Sequence, residues 1–402
     1  MSAKTIPVAR PWMGECEAEA ARRVILSGWV TQGPEVAAFE REFAAAVGAP
    51  FACAVASATT ALHLALLAVG VQPGDEVITV SHSFIATANS IRYCGATPVF
   101  CDIDLATFNM NPALLERLIT PKTRAILCVH QIGMPCDLTR ILAIARMHSI
   151  PVVEDAACAI GAEILWEQQW ERIGKPHGDI ACFSFHPRKL VTCGDGGMIT
   201  TANGDWDKQF RLWRQHGMSV PDTARHSSNA VLFESYPVLG YNYRLTDIQA
   251  AVGREQLRRL PAMIERRRIQ AARYHDLLSS IPGLVLPREP AWARTNWQSY
   301  CIRLPEGCSQ LDTMQMMLDA GVSTRRGVQC AHREAAYPRN AWLCACRQSP
   351  CICLGQSECA QDRCIVLPMF HEMSEAEQEQ VAASLRQAFH KERFNGRARP
   401  LI

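Results

Sequence analysis

The sequence lacks an excess of charge of either sign, with 41 basic residues, 39 acidic residues and a formal net charge of +2. Nucleic-acid-binding proteins carry a strongly basic surface, so this balance gives no indication of a nucleic-acid partner. Long apolar runs are also missing. The opening stretch MSAKTIPVARPW is unlike a signal peptide, and no stretch approaches the roughly 18 apolar residues of a membrane helix. We therefore expect a cytoplasmic protein with no membrane partner and with its cysteines as thiols.

The pattern of the first half predicts an α/β fold. The chain has 402 residues, 48% of them hydrophobic, which is enough for two domains. From about residue 50 to 200, short β-branched runs such as DEVITV and RAILCVH alternate with helical patterns such as TTALHLALLAVGV. This alternation is typical of a mostly parallel sheet covered by helices. Ligands of such sheets bind beyond the carboxyl ends of the strands.

We predict a large domain over residues 1–245, which includes an N-terminal segment. A long amphipathic pattern from Thr246 to Gly283 predicts a helix that Pro261 kinks or breaks. This helix opens the range 246–390, which also holds a smaller α+β domain. The polar loop between Ser219 and Pro237 is a candidate lid, and residues 391–402 are predicted to be a disordered tail.

Two segments suggest groups that bind a charged ligand. In VASATTALHLAL, Ser57 to Thr60 lie between a strand and a helix, where free backbone N–H groups favour an anion. An ordinary helix cap explains the same pattern. In VVEDAACAIGA, a strand ends at Glu154 and Asp155. A carboxylate there is suited to the protonated ring nitrogen of a pyridoxal cofactor, or it caps the next helix.

Lys189 lies in an unusual segment, CFSFHPRKLVTCGDGGMIT. A free lysine amine has a pKa near about 10.4 and is a poor nucleophile, but as a Schiff base it becomes a reactive group. The glycines at 194, 196 and 197 allow the backbone to return tightly past a ligand. The segment therefore predicts a lysine that acts inside a cleft.

Several segments together resemble the DegT/DnrJ/EryC1/StrS sugar aminotransferases. The resemblance runs from about residue 5 to 385 and rests on ordered motifs that include SGWVTQGPEVAAFEREF, SATTALHLAL, HSFIATANSI, VVEDAACAIGA, FSFHPRKLVTCGDGGMIT and GYNYRLTDIQAAVGREQL. It implies a fold-type-I transferase that uses pyridoxal 5'-phosphate (PLP) as its cofactor.

The resemblance also implies roles for individual residues. Lys189 would hold the cofactor as a Schiff base and then move the proton, and Asp155 would pair with the ring nitrogen. Phe84 would stack on the ring. The positions that match phosphate contacts are Ala58, Thr59 and Ser184, with Asn242 reaching the phosphate of a partner subunit. Cys158 stands near the cofactor's phenolic oxygen, where the family usually has Gln or His, and a thiol is a weak hydrogen-bond donor.

The residues assigned to the substrate are Thr31, Arg244, Arg326 and His332. Arg325 and Arg326 are suited to a carboxylate or a diphosphate, although a solvated surface pair explains them equally well. His130, His186 and His332 are candidates for ligand contact, and a buried, hydrogen-bonded histidine is the alternative for His332.

The stretch CACRQSPCIC holds four cysteines with the spacing C-x-C-x4-C-x-C. Close pairs of thiolates occur in structural zinc sites, but this spacing differs from the common C-x2-C pairs and the resemblance predicts no metal. We therefore expect no metal and unligated thiols, with zinc as the alternative.

The resemblance implies an aminotransferase that moves an amino group from an amino acid, L-glutamate, to a nucleotide-linked keto-sugar at a 4-keto position. It also implies a homodimer with shared active sites and a place in amino-sugar biosynthesis for a polysaccharide or an antibiotic. The alternatives are an aminotransferase for an aminocyclitol or another keto-sugar, and a non-catalytic regulator that binds a sugar nucleotide. Lys189 argues against related dehydratases, which have histidine at this position.

Overall fold

A mixed sheet forms the centre of the computed structural model, which describes residues 5–220, 225–226, 228–346 and 351–395. The strands are β1 (Phe51–Val55), β2 (Glu76–Val80), β3 (Thr97–Cys101), β4 (Thr123–Val129), β5 (Val152–Asp155), β6 (Glu163–Trp166), β7 (Gln169–Arg172), β8 (Ile180–Ser184), β9 (Gly197–Thr201), β10 (Ala293–Arg294), β11 (Tyr300–Arg303), β12 (Arg325–Arg326), β13 (Leu343–Cys344) and β14 (Cys364–Leu367).

The helices surround this sheet and build the C-terminal region. They are α1 (Glu15–Ser27), α2 (Pro34–Val47), α3 (Ala58–Ala68), α4 (Ala86–Tyr93), α5 (Leu138–Met147), α6 (Gly204–Trp213), α7 (Asp247–Leu278), α8 (Gln310–Asp319), α9 (Gly355–Arg363) and α10 (Glu375–Asn395). None of the helices within the described ranges has the length and apolar character needed to cross a bilayer.

Within the described residues, eight strands form the large sheet in the order β1-β9-β8-β5-β4-β2-β3-β13. Only β9 runs against its neighbours β1 and β8, and the other pairs are parallel. The α/β prediction with a mostly parallel sheet is confirmed. Because β4, β5 and β8 are parallel neighbours, their carboxyl ends meet at one edge of the sheet, where a ligand is expected.

Alternate residues of the strands face two hydrophobic layers, as the period of two along a strand requires. Phe183 points to one face, where it packs against Phe43 of α2 with ring centroids 5.0 Å apart. Cys182, its neighbour in β8, points to the other face and packs in the layer that contains Leu62 and Leu66 of α3. Helix α3 is apolar almost all round because it is buried on this face.

A second, smaller sheet has the order β11-β14-β12, with all its pairs antiparallel. It packs with α8, α10 and the end of α7 around a separate core that includes Tyr274, Ile302 and Leu385. The N-terminal segment also joins this core through Ile6, whose main chain bonds to Gly321 and Ser323. This region corresponds to the predicted α+β domain.

Some details differ from the prediction. Helix α7 runs without a break through Pro261. The proline removes one main-chain hydrogen bond, but the burial of side chains along the helix outweighs this cost. Helix α10 continues to Asn395, so it includes the first residues of the range 391–402, of which 396–402 lie outside the described residues. The candidate lid lies partly outside them too, at 221–224 and 227.

The division at residue 245 stays a prediction, and two segments cross it. Ile6 belongs to the 1–245 range by sequence but packs in the smaller core. Strand β13 belongs to the 246–390 range but extends the large sheet by pairing with Val99 and Phe100 of β3.

Candidate active site

A cavity of about 350 Å³ lies beyond the carboxyl ends of the central strands. Its wall brings together most of the residues that the sequence predicts: Ala58, Thr59, Phe84, Asp155, Cys158, Ser184, Lys189 and Arg326. These residues come from the last positions of β5 and β8, from the segments that follow β1, β2, β5 and β8, and from the small sheet. The topology therefore gathers them although they are up to 268 positions apart in the chain, from Ala58 to Arg326.

Lys189 lies in a tight turn after β8, where its backbone N–H donates to the carbonyl of His186 at 2.8 Å. Its Nζ donates to the Cys158 Sγ at 3.0 Å. Cys158 stands on the turn that follows β5, three residues after Asp155. The turns after two neighbouring strands thus bring an amine and a thiol into contact at the cavity wall.

Gln298 fixes the main chain on both sides of Lys189. Its Oε1 accepts a hydrogen bond from the N–H of Leu190 at 3.1 Å, and its Nε2 donates to the carbonyl of Arg188 at 2.6 Å. Gln298 is buried, so these bonds are shielded from competing water. The sequence alone did not indicate Gln298, because it lies 109 positions from Lys189 with no local motif around it.

Asn296 holds the neighbouring turn in a similar way. Its Nδ2 donates to the carbonyls of Cys158 at 2.8 Å and of Ile160 at 2.9 Å, and its Oδ1 accepts from the N–H of Gln298 at 2.9 Å. Asn296 is fully buried. One short segment therefore fixes the turn that carries Cys158 and the turn that carries Lys189.

Asp155 ends β5 with its carboxylate on the cavity wall and only 5% of the residue exposed. Its Oδ2 accepts a hydrogen bond from the Thr87 hydroxyl at 2.7 Å, and its Oδ1 accepts from the N–H of Ala157 at 3.2 Å. The Thr87 hydroxyl is in turn 2.8 Å from that of Ser83. Thr87, on α4, was not predicted as a site residue. The only local feature that could have indicated it is its position in the first turn of the helix after the sequence HSF at 82–84.

The start of α3 forms another wall. The Ser57 side chain accepts the N–H of Thr60 at 3.2 Å, and the Thr60 hydroxyl donates to the Ser57 carbonyl at 2.8 Å. This reciprocal cap satisfies Ser57 and Thr60 with each other. Ala58 and Thr59 follow in the first turn, where N–H groups have no partner inside the helix and a negative group is favoured.

Gly197, at the start of β9, supports that wall by close contact. A Cβ added to it would lie 2.5 Å from the carbonyl carbon and oxygen of Ser57 and 2.8 Å from the Ala58 nitrogen. These are backbone atoms, which cannot swing away. Glycine at 197 therefore allows the main chain of β9 to contact the main chain at the start of α3. This contact is the reason that a glycine is needed at this position after Lys189.

The histidines near the cavity differ in their surroundings. His186 lies on the wall, and burial lowers its pKa. His130 is fully buried, with Nε2 2.8 Å from Glu154 Oε2 and Nδ1 accepting the Cys136 N–H at 2.9 Å. Its ring nitrogens are thus engaged within the protein, although the residue borders the cavity.

The remaining predicted residues lie outside the cavity wall in this chain. Asn242 is exposed and pairs through its main chain with Gln215. Thr31 is exposed, and its carbonyl accepts the N–H of Asp247 at 3.1 Å. Arg244 is partly buried. Neither Asn242, Thr31 nor Arg244 borders the cavity.

His332 also lies off the cavity wall. Its Nδ1 is 2.6 Å from the Ser81 hydroxyl, and its Nε2 is 3.0 Å from Glu358 Oε1. Burial lowers its pKa, although the bond to Glu358 opposes this change. These contacts agree with the alternative of a buried, hydrogen-bonded histidine, and a substrate contact by His332 stays a prediction.

Comparison with known proteins identifies the family. Residues 11–386 match the sequence model described as the DegT/DnrJ/EryC1/StrS aminotransferase family. The chain belongs to this family. It is a sugar aminotransferase that depends on PLP, as the sequence resemblance predicted.

Individual relatives agree with this assignment. The chain is 42% identical over 301 residues to the spore coat polysaccharide biosynthesis protein SpsC of Bacillus subtilis. The aligned region covers 75% of this chain and 76% of that protein. The aminotransferase TlmJ from Streptoalloteichus hindustanus is 31% identical with a TM-score of 0.86, over 96% of this chain and 99% of that chain. Spr1654 from Streptococcus pneumoniae in its PMP form is 26% identical with a TM-score of 0.88, over 96% and 100%.

The residues on the cavity wall fit PLP. The cofactor has an aldehyde, a basic ring nitrogen, a flat ring and a phosphate, and the wall offers an amine, a buried carboxylate, an exposed aromatic ring and a helix start. Phe84 is 59% exposed and borders the cavity, so one ring face is free to cover a flat group. The chemistry of the donor set is therefore complete for this cofactor.

Proposed function

We propose that this chain transfers the amino group of L-glutamate to the carbonyl carbon of a nucleotide-linked keto-sugar, at a 4-keto position. The observation that carries this proposal is the placement of the Lys189 amine and the buried Asp155 carboxylate on one cavity wall. A protein that only binds a sugar nucleotide needs neither group. Their combination favours catalysis over the alternative of a non-catalytic regulator.

Lys189 is the proposed proton carrier. Bound PLP supplies an electron sink that weakens the bond to hydrogen on the adjacent carbon. The Lys189 amine, fixed by the Gln298 bonds to the peptides on each side of it, would move a proton from the amino-acid carbon to the adjacent carbon of the cofactor in the first half of the reaction. In the second half it would move a proton from that cofactor carbon to the sugar carbon. The bond from its Nζ to the Cys158 Sγ places the amine at the cavity wall.

Asp155 is the proposed partner of the ring nitrogen. It stays oriented because Thr87 donates to one of its oxygens and the Ala157 N–H to the other. A carboxylate oriented in this way is a suitable hydrogen-bond acceptor for the protonated ring nitrogen of the cofactor. Ala58, Thr59 and Ser184 are proposed to hold the phosphate by backbone and hydroxyl donors at the positive end of α3.

The substrate side of the cavity is basic. Arg325 and Arg326 of β12 are exposed and border the cavity, as does Arg188. Guanidinium groups bind phosphate and carboxylate oxygens in pairs, so this wall is suited to a nucleotide diphosphate and to the side-chain carboxylate of glutamate. The similarity to a spore coat polysaccharide biosynthesis protein favours a sugar that is a polysaccharide precursor.

A homodimer with shared active sites is part of the proposal. Asn242 is exposed, and the same stretch of chain exposes large apolar side chains, with Phe233 at 89% and Leu239 at 84%. Clusters of exposed apolar side chains mark interaction surfaces. A two-fold contact there would bury these side chains and bring Asn242, Arg244 and Thr31 towards the cavity of the partner subunit.

The test is a substrate panel. Purified protein with PLP and L-glutamate is incubated with one acceptor at a time. The acceptors are nucleotide-linked 4-keto-sugars, nucleotide-linked 3-keto-sugars and a keto-cyclitol. We expect an aminated 4-keto-sugar by mass spectrometry, with the position of the amine fixed by NMR, and no product from a Lys189→Ala variant. Amination of the keto-cyclitol alone would overturn the proposed substrate and favour the aminocyclitol alternative.

A further inference from the structure

Four cysteine sulfurs meet at one point next to the edge of the large sheet. The Sγ of Cys344 is 3.3 Å from that of Cys346 and 3.2 Å from that of Cys351. The Sγ of Cys353 is 3.3 Å from that of Cys351 and 3.6 Å from that of Cys346. All four sulfurs lie within 4.8 Å of one another, and none of the four cysteines borders the cavity.

This geometry differs from that of disulfides. A disulfide joins two sulfurs at about 2.0 Å, so two disulfides would give two short distances and leave the pairs apart. Here the four separations are nearly equal. Four ligands around one zinc ion, with Zn–S of about 2.3 Å, would be separated by about 3.8 Å, because this is the edge of a tetrahedron of that radius.

We propose that Cys344, Cys346, Cys351 and Cys353 bind one Zn²⁺ ion as a structural site. The C-x-C spacing, which argued against zinc in the sequence, places the two sulfurs of each pair 3.3 Å apart. Binding replaces the four thiol protons, which leave to solvent, with bonds from the thiolates to the metal.

The proximity of the sulfurs also selects the kind of metal group. An iron–sulfur cluster uses its cysteines on several iron atoms and would hold the sulfurs farther apart. A single tetrahedral ion fits the observed separations. Among single divalent ions, zinc binds such a set more tightly than iron(II) does.

The surroundings support a closed, structural site. Cys344 is only 1% exposed and packs with Phe100, Trp342 and Leu354 in a small apolar cluster. The guanidinium of Arg339 lies over the Trp342 ring at 4.3 Å, and its Nη2 is 3.9 Å from the Cys344 sulfur. Four thiolates carry more negative charge than one zinc ion neutralises. A cation beside them offsets part of the remaining negative charge.

The two ends of the cysteine segment are fixed to the large sheet. Cys344 is the last residue of β13, which pairs with β3. After Cys353, the first turn of α9 is held by Asp102, which follows β3 and accepts the N–H groups of Gln356 at 2.9 Å and Ser357 at 2.8 Å. Zinc would therefore cross-link a segment whose two ends are both anchored at β3 or directly after it. Helix α9 in turn contacts β12 at the cavity wall.

The experiment measures the metal content of the purified PLP-loaded enzyme, which is expressed and purified without added chelator. Elemental analysis is expected to give roughly one zinc per chain, as one tetrahedral site requires. Cobalt(II) exchanged for zinc is expected to give the strong visible bands of a tetrahedral thiolate site, beyond the absorption of the cofactor. The double variant Cys351→Ser and Cys353→Ser is expected to hold less than about a tenth of that zinc, because two of four ligands are gone.

The matched control is Cys359→Ser, which removes a nearby thiol on α9 that is outside the four-sulfur group. It is expected to keep its zinc. The double variant can fail to fold, so native mass spectrometry of the unaltered enzyme provides a second measurement. A mercurial reagent is added to block the thiols, and the zinc released is expected to rise in proportion to the thiols blocked. Iron in place of zinc, four reactive thiols without metal, or equal zinc in the double variant would each overturn the proposal.

Discussion

The Lys189 Nζ donates a hydrogen bond of 3.0 Å to the Cys158 Sγ, so an amine and a thiol meet where the cavity wall is formed by the turns after β5 and β8. Asp155 begins the same turn as Cys158, and its carboxylate borders the same cavity. A change at position 158 should therefore alter the surroundings of the cofactor that we propose Lys189 binds.

We expect Cys158→Gln to be tolerated and to shift the pH at which the bound cofactor changes colour. The resemblance puts residue 158 beside the ring oxygen of PLP, and an amide N–H donates a stronger hydrogen bond to it than a thiol does. Stabilising negative charge on that oxygen moves the midpoint to lower pH by about half a unit to one unit, since a hydrogen bond contributes about 0.5 to 1.5 kcal/mol. The measurement is a spectrophotometric titration.

The control for this titration is Cys193→Ser, which alters a buried thiol that donates to the Asp195 carbonyl and does not border the cavity. Its midpoint should equal that of the unaltered enzyme. If Cys158→Gln also leaves the midpoint unchanged, residue 158 does not face the cofactor.

We expect borohydride to fix PLP covalently on Lys189, and Lys189→Ala to lower the rate of amino transfer by at least about a hundredfold, the lower range for loss of a general base. Peptide mapping by mass spectrometry identifies the modified lysine. Lys208→Ala changes an exposed lysine paired with Asp205 and should leave both results unaltered. Trapping on a different lysine would refute the assignment.

We expect Gln298→Ala to lower kcat about tenfold with little change in KM for the sugar. It removes the two bonds that fix the peptides next to Lys189, at about 1 kcal/mol each, and leaves Arg325 and Arg326 of the substrate wall in place. Steady-state kinetics separate the two constants, and slower borohydride trapping would show that the amine has lost its position.

The matched control for Gln298 is Gln310→Ala. Gln310 also bonds two main-chain groups, the carbonyls of Gln361 and Cys364, but it does not border the cavity. Its loss should lower the melting temperature without a selective effect on kcat. Equal kinetic effects of the two variants would mean that Gln298 acts only through stability.

We expect Gly197→Ala to weaken PLP binding at least about tenfold. The new Cβ would lie 2.5 Å from the Ser57 carbonyl and would push the first turn of α3 out of place, and with it the phosphate donors. The affinity is measured by titrating the apoenzyme with PLP. Gly14→Ala is the control, since a Cβ there meets nothing within 4 Å and the backbone is extended. An unaltered affinity in Gly197→Ala would exclude the start of α3 as the phosphate site.

We expect inactive Lys189→Ala and Asn242→Asp subunits to complement each other when refolded together. If Asn242 contributes to the partner's site, a mixed dimer has one site with both defects and one with neither. Random pairing makes half of the dimers mixed, so up to about a quarter of the unaltered activity should return. Mixed dimers that form, as shown by differential tagging, but stay inactive would place both residues in one chain's site.

Local patterns predicted the fold, the start of α3, Asp155 and Lys189, whereas the family resemblance implied Phe84, Cys158 and Ser184. Strand ends such as Asp155 and the glycines after Lys189 are visible as motifs, and the topology of a parallel sheet gathers them. Gln298 and Asn296 were not predicted because they act on main-chain groups more than 100 positions away, which no periodicity records.

At Pro261 the sequence predicted a kink or a break, and the break was wrong because packing overrides the local rule. Leu260 and Met263 are buried on either side of the proline, and α7 continues through it. The cysteine segment shows a third case. Its spacing was unfamiliar, and only the three-dimensional meeting of Cys344 with Cys351 indicates a common ligand.

The pairing of β13 with β3 ties the C-terminal region to the large sheet at more than one place. Between β12 and β14 the chain leaves the small sheet, adds a strand to the large one and returns through α9, while α7 joins the two regions elsewhere and Ile6 packs in the smaller core. Arg326, on β12, and Phe84, after β2, both border the cavity and belong to different regions. Sliding one region over the other, and Arg326 past Phe84, would therefore require β13 to separate from β3.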